Sequence, residues 1–378
     1  MIKIIKYIKL NYSIFKNILG LTEKKIKIVF YSENKSYQMY NVSLIKFFAN
    51  KYPDQVYYVS SDINDKYEDL NIKNLYIGKG LLMNFFFSIL RAEYLFLTLT
   101  DLGNHSLRKS KKIEKYIYYF HSGGSTFQQY TEGSFDNYDI IFCNGKFHID
   151  EIRFRENKKN LPNKKLILTG FFYFDDLSKK INLNNNPDEI LIAPSWNYGY
   201  TNYINENFIK VIDVLLRNNY KVAFRPHPEH YKRSKTILKT IIEKFDSNKY
   251  FRFDFDSENV KSMEKAKCII TDISNISFEY TLLLNRPVIY LEGIEKIHNK
   301  NYSEYNNFES IENKLKKKFG FSFFEKDINK IGTIVGDVII NFKLKIPQLE
   351  NFKKEYFFNF AKSIDKFEKI WEDQINND

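Results

Sequence analysis

The sequence predicts an α/β fold made of two parallel-sheet domains in series, and three observations predict it. Short β-rich runs alternate with longer helical patterns from Lys27 onward. Several of those runs end in Ser, Gly, Asn, Asp or Thr, the residue types found where a strand hands over to a loop at the carboxyl edge of a sheet, and in open parallel sheets ligands sit at that edge. The rhythm breaks once near residue 180 and resumes, and 378 residues are too many for one typical α/β core but suit two.

Taken in order, the chain opens with MIKIIKYIKLNYSIFKNILG, in which lysines at positions 3, 6, 9 and 16 interrupt any apolar core, so it is not a secretory signal. On a helical wheel Ile4, Ile5, Ile8, Tyr12, Phe15, Ile18 and Leu19 gather opposite Lys3, Lys6, Lys9, Ser13, Lys16 and Asn17. Residues 1–22 therefore read as a basic amphipathic helix, suited either to an anionic membrane interface or to ordinary packing on the first domain. Residues 81–90 are too few to span a bilayer, which takes about 20 apolar residues, and Arg91 and Glu93 follow at once, so they read as a buried helix.

The first domain, residues 23–180, carries the runs KIVFYS, VYYVSS, NLYIG, EYLFLTL, IYYFHSGG, DIIFCNG and KLILTG. After Gly170 the polar, asparagine-rich stretch FFYFDDLSKKINLNNNPDE reads as the connection between domains. The second domain, residues 181–350, begins with EILIAPSW and continues through a helix over about 203–218, KVAFRPHP, a helix over about 231–245, YFRFD and a short helix over about 260–265. CIITDISNIS then opens into the helical FEYTLLL, and Pro287 marks entry to the strand PVIYLEG. Phe357, Phe360, Ile364, Phe367 and Trp371 recur at helical spacing, so residues 351–378 read as a closing amphipathic helix. Two such halves suggest a glycosyltransferase-B-like architecture, two Rossmann-like domains facing across a cleft.

Composition narrows the function classes. Lys and Arg total 58 against 46 Asp and Glu, a net charge of +12 that favours phosphates or anionic lipid as partners. The lysines are spread along the whole chain and no single-strand, helix-turn-helix or zinc motif is present, so nucleic acid is not the expected partner. Cys143 and Cys268 lie far apart in apolar runs, which argues against a disulfide framework and for a reducing compartment. No pair among His105, His148, His230 and His298 has metal-ligand spacing, so neither a metal nor a cofactor is expected.

Three strand-end segments carry the residue types that chemistry needs. In Arg225-Pro-His-Pro228, Arg225 is a permanent cation with a planar donor fork suited to phosphate oxygens, His227 can exchange a proton near neutral pH, and two prolines stiffen the loop. The alternative is a proline-rich turn with an incidental histidine. In the segment 271–279, Ser274 and Ser277 stand where a helix begins and its unpaired N–H groups can bind an anion, although Ser274 would also serve as a plain cap. Asp272 beside them can hold a ribose hydroxyl or a loop amide. In the third segment His121 precedes Ser122, Gly123, Gly124 and Ser125, where paired glycines allow close backbone approach and the histidine can act as a general base or merely cap a strand.

Together these segments resemble the CDP-glycerol glycerophosphotransferase family. The matching order is His121, Gly170-Phe-Phe-Tyr-Phe-Asp175, Ile192-Ala-Pro-Ser-Trp196, Arg225-Pro-His-Pro228, Thr271-Asp-Ile-Ser-Asn-Ile-Ser277 and Arg286-Pro-Val-Ile-Tyr290, with the Arg-Pro-His-Pro and Thr-Asp pair the specific part. The resemblance implies a transferase that moves glycerol phosphate, or a related alditol phosphate, from a CDP-linked donor to an acceptor hydroxyl in teichoic-acid or capsule synthesis on the inner face of the plasma membrane. It implies a lipid-linked or polysaccharide acceptor and an anionic membrane surface as partners. From their places at strand ends, His121 and His227 are expected to be the catalytic pair, Arg225, Asp272, Ser274 and Ser277 the donor-binding set, and residues 122–125 the acceptor loop. The family's histidine is usually followed by Gly and a hydroxyl residue, and here it is followed by Ser122-Gly123-Gly124-Ser125. A glycosyltransferase of the same fold with a nucleotide-sugar donor is the alternative.

Overall fold

The computed structural model describes residues 2–21, 24–68, 70–100, 102–104, 107–196, 206–256, 259–272, 274–293 and 297–376, with the side chains of 2–10 and 376 outside the description. The chain forms two compact units, one of residues 1–176, 299–301 and 356–378, the other of residues 177–298 and 302–355.

The first unit is built on a parallel seven-stranded sheet: β1 (Ile26–Ser32), β2 (Val56–Ser60), β3 (Lys73–Tyr76), β4 (Ala92–Leu97), β5 (Ile113–Tyr119), β6 (Ile140–Cys143) and β7 (Lys165–Leu168), in the order β3-β2-β1-β4-β5-β6-β7. Near-continuous runs of apolar residues form the inner strands because both faces of a parallel sheet are covered by helices, whereas the edge strand β3, KNLY, has no buried residue. One core cluster joins Phe30, Phe96 and Phe142 of the sheet to Phe48, Phe367 and Trp371 of the covering helices. The indole of Trp371 donates to Tyr52 Oη at 2.9 Å.

The second unit repeats the plan with six parallel strands: β8 (Glu189–Ile192), β9 (Lys221–Phe224), β10 (Phe251–Phe253), β11 (Ala266–Thr271), β12 (Val288–Leu291) and β13 (Phe321–Phe323), ordered β10-β9-β8-β11-β12-β13. Its core packs the helix Glu206–Arg217 through Phe208, Val211, Ile212 and Leu215 against Ile190, Val222 and Ile270. The apolar positions of that helix recur every three to four residues, which gives it a single buried stripe.

Two expectations change. The stretch after Gly170 contains a helix, Phe172–Lys180, because Phe171, Phe172, Tyr173 and Phe174 are buried, and the division between the two units falls within that helix, after Asp176. The C-terminal segment is two helices, Ile346–Tyr356 and Ser363–Trp371, broken by a turn in which Asn359 and Ala361 have positive φ. Tertiary contacts impose that break. Phe358 N–H donates to Asn144 O, and Asp175 Oδ2 accepts from Ile364 N–H at 2.7 Å. Close approach of the turn also requires Gly170, whose φ is +82° and where a Cβ would stand 2.4 Å from Phe358 O.

In addition, β13 and the helices Ile311–Phe319 and Ile331–Phe342 complete the second unit beyond the strand PVIYLEG. The first helix, Ile2–Leu19, forms as expected. Ile14 and Ile18 are buried and Phe15 stacks on Phe85 with centroids 5.3 Å apart, so its described part packs on the first unit, while Tyr12 and Leu19 stay 70% and 43% exposed. The wheel positions 3–9 fall outside the described side chains. No helix among the described residues is long and apolar enough to cross a membrane.

Candidate functional site

In the second unit the chain leaves β8 for β9 on one side of it and returns to β11 on the other, so the strand order reverses between β8 and β11. Such a reversal leaves a crevice at the carboxyl edge, where open α/β sheets bind ligands. The loops after β8, β9 and β11 therefore converge there, and they contain residues 193–196, Arg225 with His227, and Asp272 with Ser274.

Asp272 is buried, and both its carboxylate oxygens are engaged by one residue: Oδ1 accepts the Ser195 N–H at 2.7 Å and Oδ2 accepts the Ser195 hydroxyl at 2.5 Å. Of the two partners open to it in the sequence, the loop amide is the one it holds. Thr271 Oγ1 donates to Ala193 O at 2.6 Å beside it. From the other side His230 Nε2 lies 2.9 Å from Ser195 O. A carbonyl only accepts, so Nε2 carries the proton and Nδ1 accepts from Ser234 Oγ at 3.0 Å. Burial lowers the His230 pKa against the opposing pull of its carbonyl bond and of Asp272. Trp196 stands edge-on to this ring at 5.1 Å.

Arg225 extends from the end of β9, and its Nη1 pairs with Asp254 Oδ2 at 3.2 Å. A guanidinium has five N–H donors, and this bond uses one. His227 is exposed and caps the helix Pro228–Arg233, its Nδ1 accepting Glu229 N–H at 3.2 Å with Pro228 in the first turn. In the neutral ring this cap selects the tautomer with its proton on Nε2, because an Nδ1 that accepts Glu229 N–H cannot carry one.

The two serines of the third loop separate. Ser277 is buried and its hydroxyl donates to Ser274 O at 2.6 Å, so it is consumed inside the first turn of the helix Asn275–Leu284. Ser274, in extended backbone at the N-cap, makes no side-chain capping bond. Plain capping therefore does not account for its hydroxyl. Arg286, part of another matching segment, closes the preceding helix by donating to the carbonyls of Met263, Glu264 and Ala266.

In the first unit His121 follows β5 and is ringed by tyrosines. The centroids of Tyr37, Tyr130 and Tyr40 lie 5.6, 5.9 and 6.0 Å from its own, and Tyr118 Oη is 3.5 Å from Nδ1. Burial among these rings pushes its pKa down to about 4, so the imidazole is neutral, in its base form, at physiological pH.

The loop after His121 is packed into the first unit. Residues 122–125 are all buried. Gly124 N–H donates to Ser122 Oγ at 3.2 Å, Asn144 Nδ2 donates to Ser122 O at 3.1 Å, and His148 Nε2 lies 2.8 Å from Gly124 O. Behind Ser125, Glu151 accepts both the N–H and the hydroxyl of Thr126, at 2.6 and 2.7 Å. His148 stacks on Phe120 at 3.8 Å, accepts Asn144 N–H through Nδ1, and is held neutral by burial, its pKa lowered to about 3.

His148 and His230 are the residues that sequence reasoning passed over, and they play the same part in the two units. Each is the third residue of a helix that follows a strand, β6 or β9, and each donates Nε2–H to a carbonyl in the loop after the neighbouring strand, β5 or β8. Their sequence signal, a histidine just inside a helix, is indistinguishable from an incidental one. Among the described residues no cluster of His, Cys, Asp or Glu could hold a metal ion.

Residues 165–311 match the family model described as CDP-Glycerol:Poly(glycerophosphate) glycerophosphotransferase. The minor teichoic acid biosynthesis protein GgaB of Bacillus subtilis (strain 168) is 23% identical over 235 residues, 55% of this chain. The match spans 23% of the length of that relative. Among solved structures, the wall teichoic acid polymerase TagF aligns over 93% of this chain and 90% of its own with 14% identity and a TM-score of 0.61, and a variant of it soaked with CDPG aligns at 0.58. A putative UDP-N-acetylglucosamine 2-epimerase from Listeria monocytogenes aligns over 94% of this chain and 98% of its own, with 10% identity and a TM-score of 0.59. These structural likenesses show the fold, the two-domain glycosyltransferase-B-like α/β fold that the sequence predicts.

Proposed function

We propose that the chain, whose residues 165–311 match the model of the CDP-glycerol:poly(glycerophosphate) glycerophosphotransferase family, transfers glycerol phosphate, or a related alditol phosphate, from a CDP-linked donor to an acceptor hydroxyl of a cell-surface polymer. One observation carries the proposal: within the matching segment, the loops after β8, β9 and β11 bring Arg225, His227 and the uncapped Ser274 helix start to one carboxyl edge of a parallel sheet. Cationic and N–H donors fixed in that way suit a pyrophosphate, for which catalysis is chiefly positioning and charge stabilisation.

The acceptor hydroxyl attacks the alditol-bearing phosphorus, the bond from that phosphorus to the bridging oxygen breaks, and CMP leaves with the electron pair. His121, neutral at physiological pH, takes the hydroxyl proton. Arg225 and the Nε2–H of His227 stabilise charge growing on the bridging oxygen, and Asp272 acts by holding the loop at Ser195. Ser277 supports Ser274 from within the helix. Residues 122–125 fix the backbone on which His121 stands, with the lipid-linked or polysaccharide acceptor beyond them. The exposed Tyr12 and Leu19, with Lys16, support attachment of the first helix to an anionic membrane surface on the cytoplasmic side.

The test is nucleotide release from CDP-glycerol, CDP-ribitol, UDP-sugars and CMP-sugars, each with thermal-shift measurement. CMP release from a CDP-alditol is the expected result. UDP release, or turnover of a CMP-sugar alone, overturns phosphotransfer in favour of glycosyl transfer.

A further inference from the structure

The sequence offers Arg225 as a phosphate-binding cation but leaves open what aims it. Asp254, one residue past β10, stands next to it because β9 and β10 pair in register, Phe224 opposite Phe253. The Asp254 backbone N–H donates to Phe224 O at 2.9 Å, which locks the two strand ends together.

Asp254 is 2% exposed, and its side chain serves as a hub. Its carboxylate accepts Arg225 Nη1 at 3.2 Å, the Ser262 hydroxyl and the Asp256 N–H at 3.1 Å, with Arg252 Nη1 3.5 Å away. Arg252 is itself held by Glu189, through Nη2 at 2.8 Å and Nε at 3.3 Å. Burial alone would raise the Asp254 pKa, but the hydrogen bonds and the two guanidiniums outweigh it and the carboxyl sits below its usual value. The hub is therefore a fixed anion on a strand end, anchored independently of Arg225.

A buried carboxylate beside a phosphate site works against anion binding by charge alone, so its presence calls for a compensating effect. We propose that Asp254 is a positioning residue: it holds the long, rotamer-rich Arg225 side chain in one orientation, so that the remaining guanidinium N–H groups meet the donor pyrophosphate without an ordering cost. This rests on the reading of Arg225 as a pyrophosphate ligand.

Orientation and charge predict opposite signs, which makes the test decisive. Binding of CDP and of cytidine is measured by calorimetry for the full chain and for Asp254→Asn, Asp254→Glu, Arg225→Ala and the double variant Arg225→Ala/Asp254→Asn, with thermal melts alongside. The expected result is that both Asp254 variants bind CDP on the order of tenfold more weakly with cytidine unchanged, and that the double variant is no weaker than Arg225→Ala. Equal or tighter CDP binding by a folded Asp254→Asn, or an additive double variant, overturns the proposal. Loss of both CDP and cytidine binding to the same degree also overturns it, since that marks a general structural defect. If the Asp254 variants do not fold, Ser262→Ala, which frees the same carboxylate, is expected to weaken CDP about threefold, and unchanged binding there overturns the proposal. Wild-type CDP affinity in Arg225→Ala would instead remove the reading on which it rests, whatever Asp254 does.

Discussion

An ordinary histidine used as a general base gives an enzyme whose activity falls below pH 6.5, and His121 is expected to behave otherwise. Burial among Tyr37, Tyr40, Tyr118 and Tyr130 moves its pKa from 6.5 to about 4, which corresponds to roughly 3 kcal/mol of preference for the neutral ring. At pH 6 an unshifted imidazole would be about three-quarters protonated and the rate would drop to about a quarter of its plateau, whereas the buried ring would be only about 1% protonated. The sign for stability follows from the same shift. A depressed pKa contributes stability that is fully present above pH 6.5 and is lost as pH falls through about 4, because the unfolded chain binds the proton first. The assay is kcat/KM for CMP release from pH 5 to 8 in one constant-ionic-strength buffer series, with circular dichroism at each pH to confirm that the fold is intact. A flat profile across that range is expected, together with a loss on the order of a hundredfold or more in His121→Ala at saturating substrates. An acid limb with its midpoint between pH 6 and 7 in the folded wild type, or near-normal turnover in the variant, would refute the reasoning.

Other substitutions separate roles that share a location. Ser274→Ala removes a hydroxyl that makes no capping bond, so stability should stay within about 0.5 kcal/mol while affinity for CDP falls, and chemical denaturation with calorimetry reads both. Gly170→Ala places a methyl against Phe358 O and Ser363 at a positive φ and should cost roughly 2–4 kcal/mol, seen as a lower urea midpoint. Because Ile14 and Ile18 are buried, membrane attachment is better tested by Tyr12→Ser with Leu19→Ser than by truncation. The pair should reduce co-sedimentation with anionic vesicles and leave turnover of soluble substrates unchanged, and undiminished co-sedimentation would place attachment elsewhere.

The sequence alone determined the parts of this protein that are local. Most of the strands β1 to β12 are short apolar runs, legible because both faces of a parallel sheet are buried and the run ends where the chain turns; the edge strand β3, KNLY, is the exception. The loops of Arg225, Asp272 and His121 were legible for the same reason, since a strand end fixes which residues lie at the ligand edge. Tertiary structure decided what each residue there is engaged in. Whether Asp272 holds a ribose or a loop depends on Ser195, 77 positions away, and whether residues 122–125 are open depends on His148 and Glu151. The closing helix broke for a similar reason: its apolar spacing continues through Phe357 and Phe360, but contacts with Asn144, Gly170 and Asp175 outweigh local periodicity. A buried polar group must find its partner wherever the fold brings one, so its role is written in the packing and not in its neighbours along the chain.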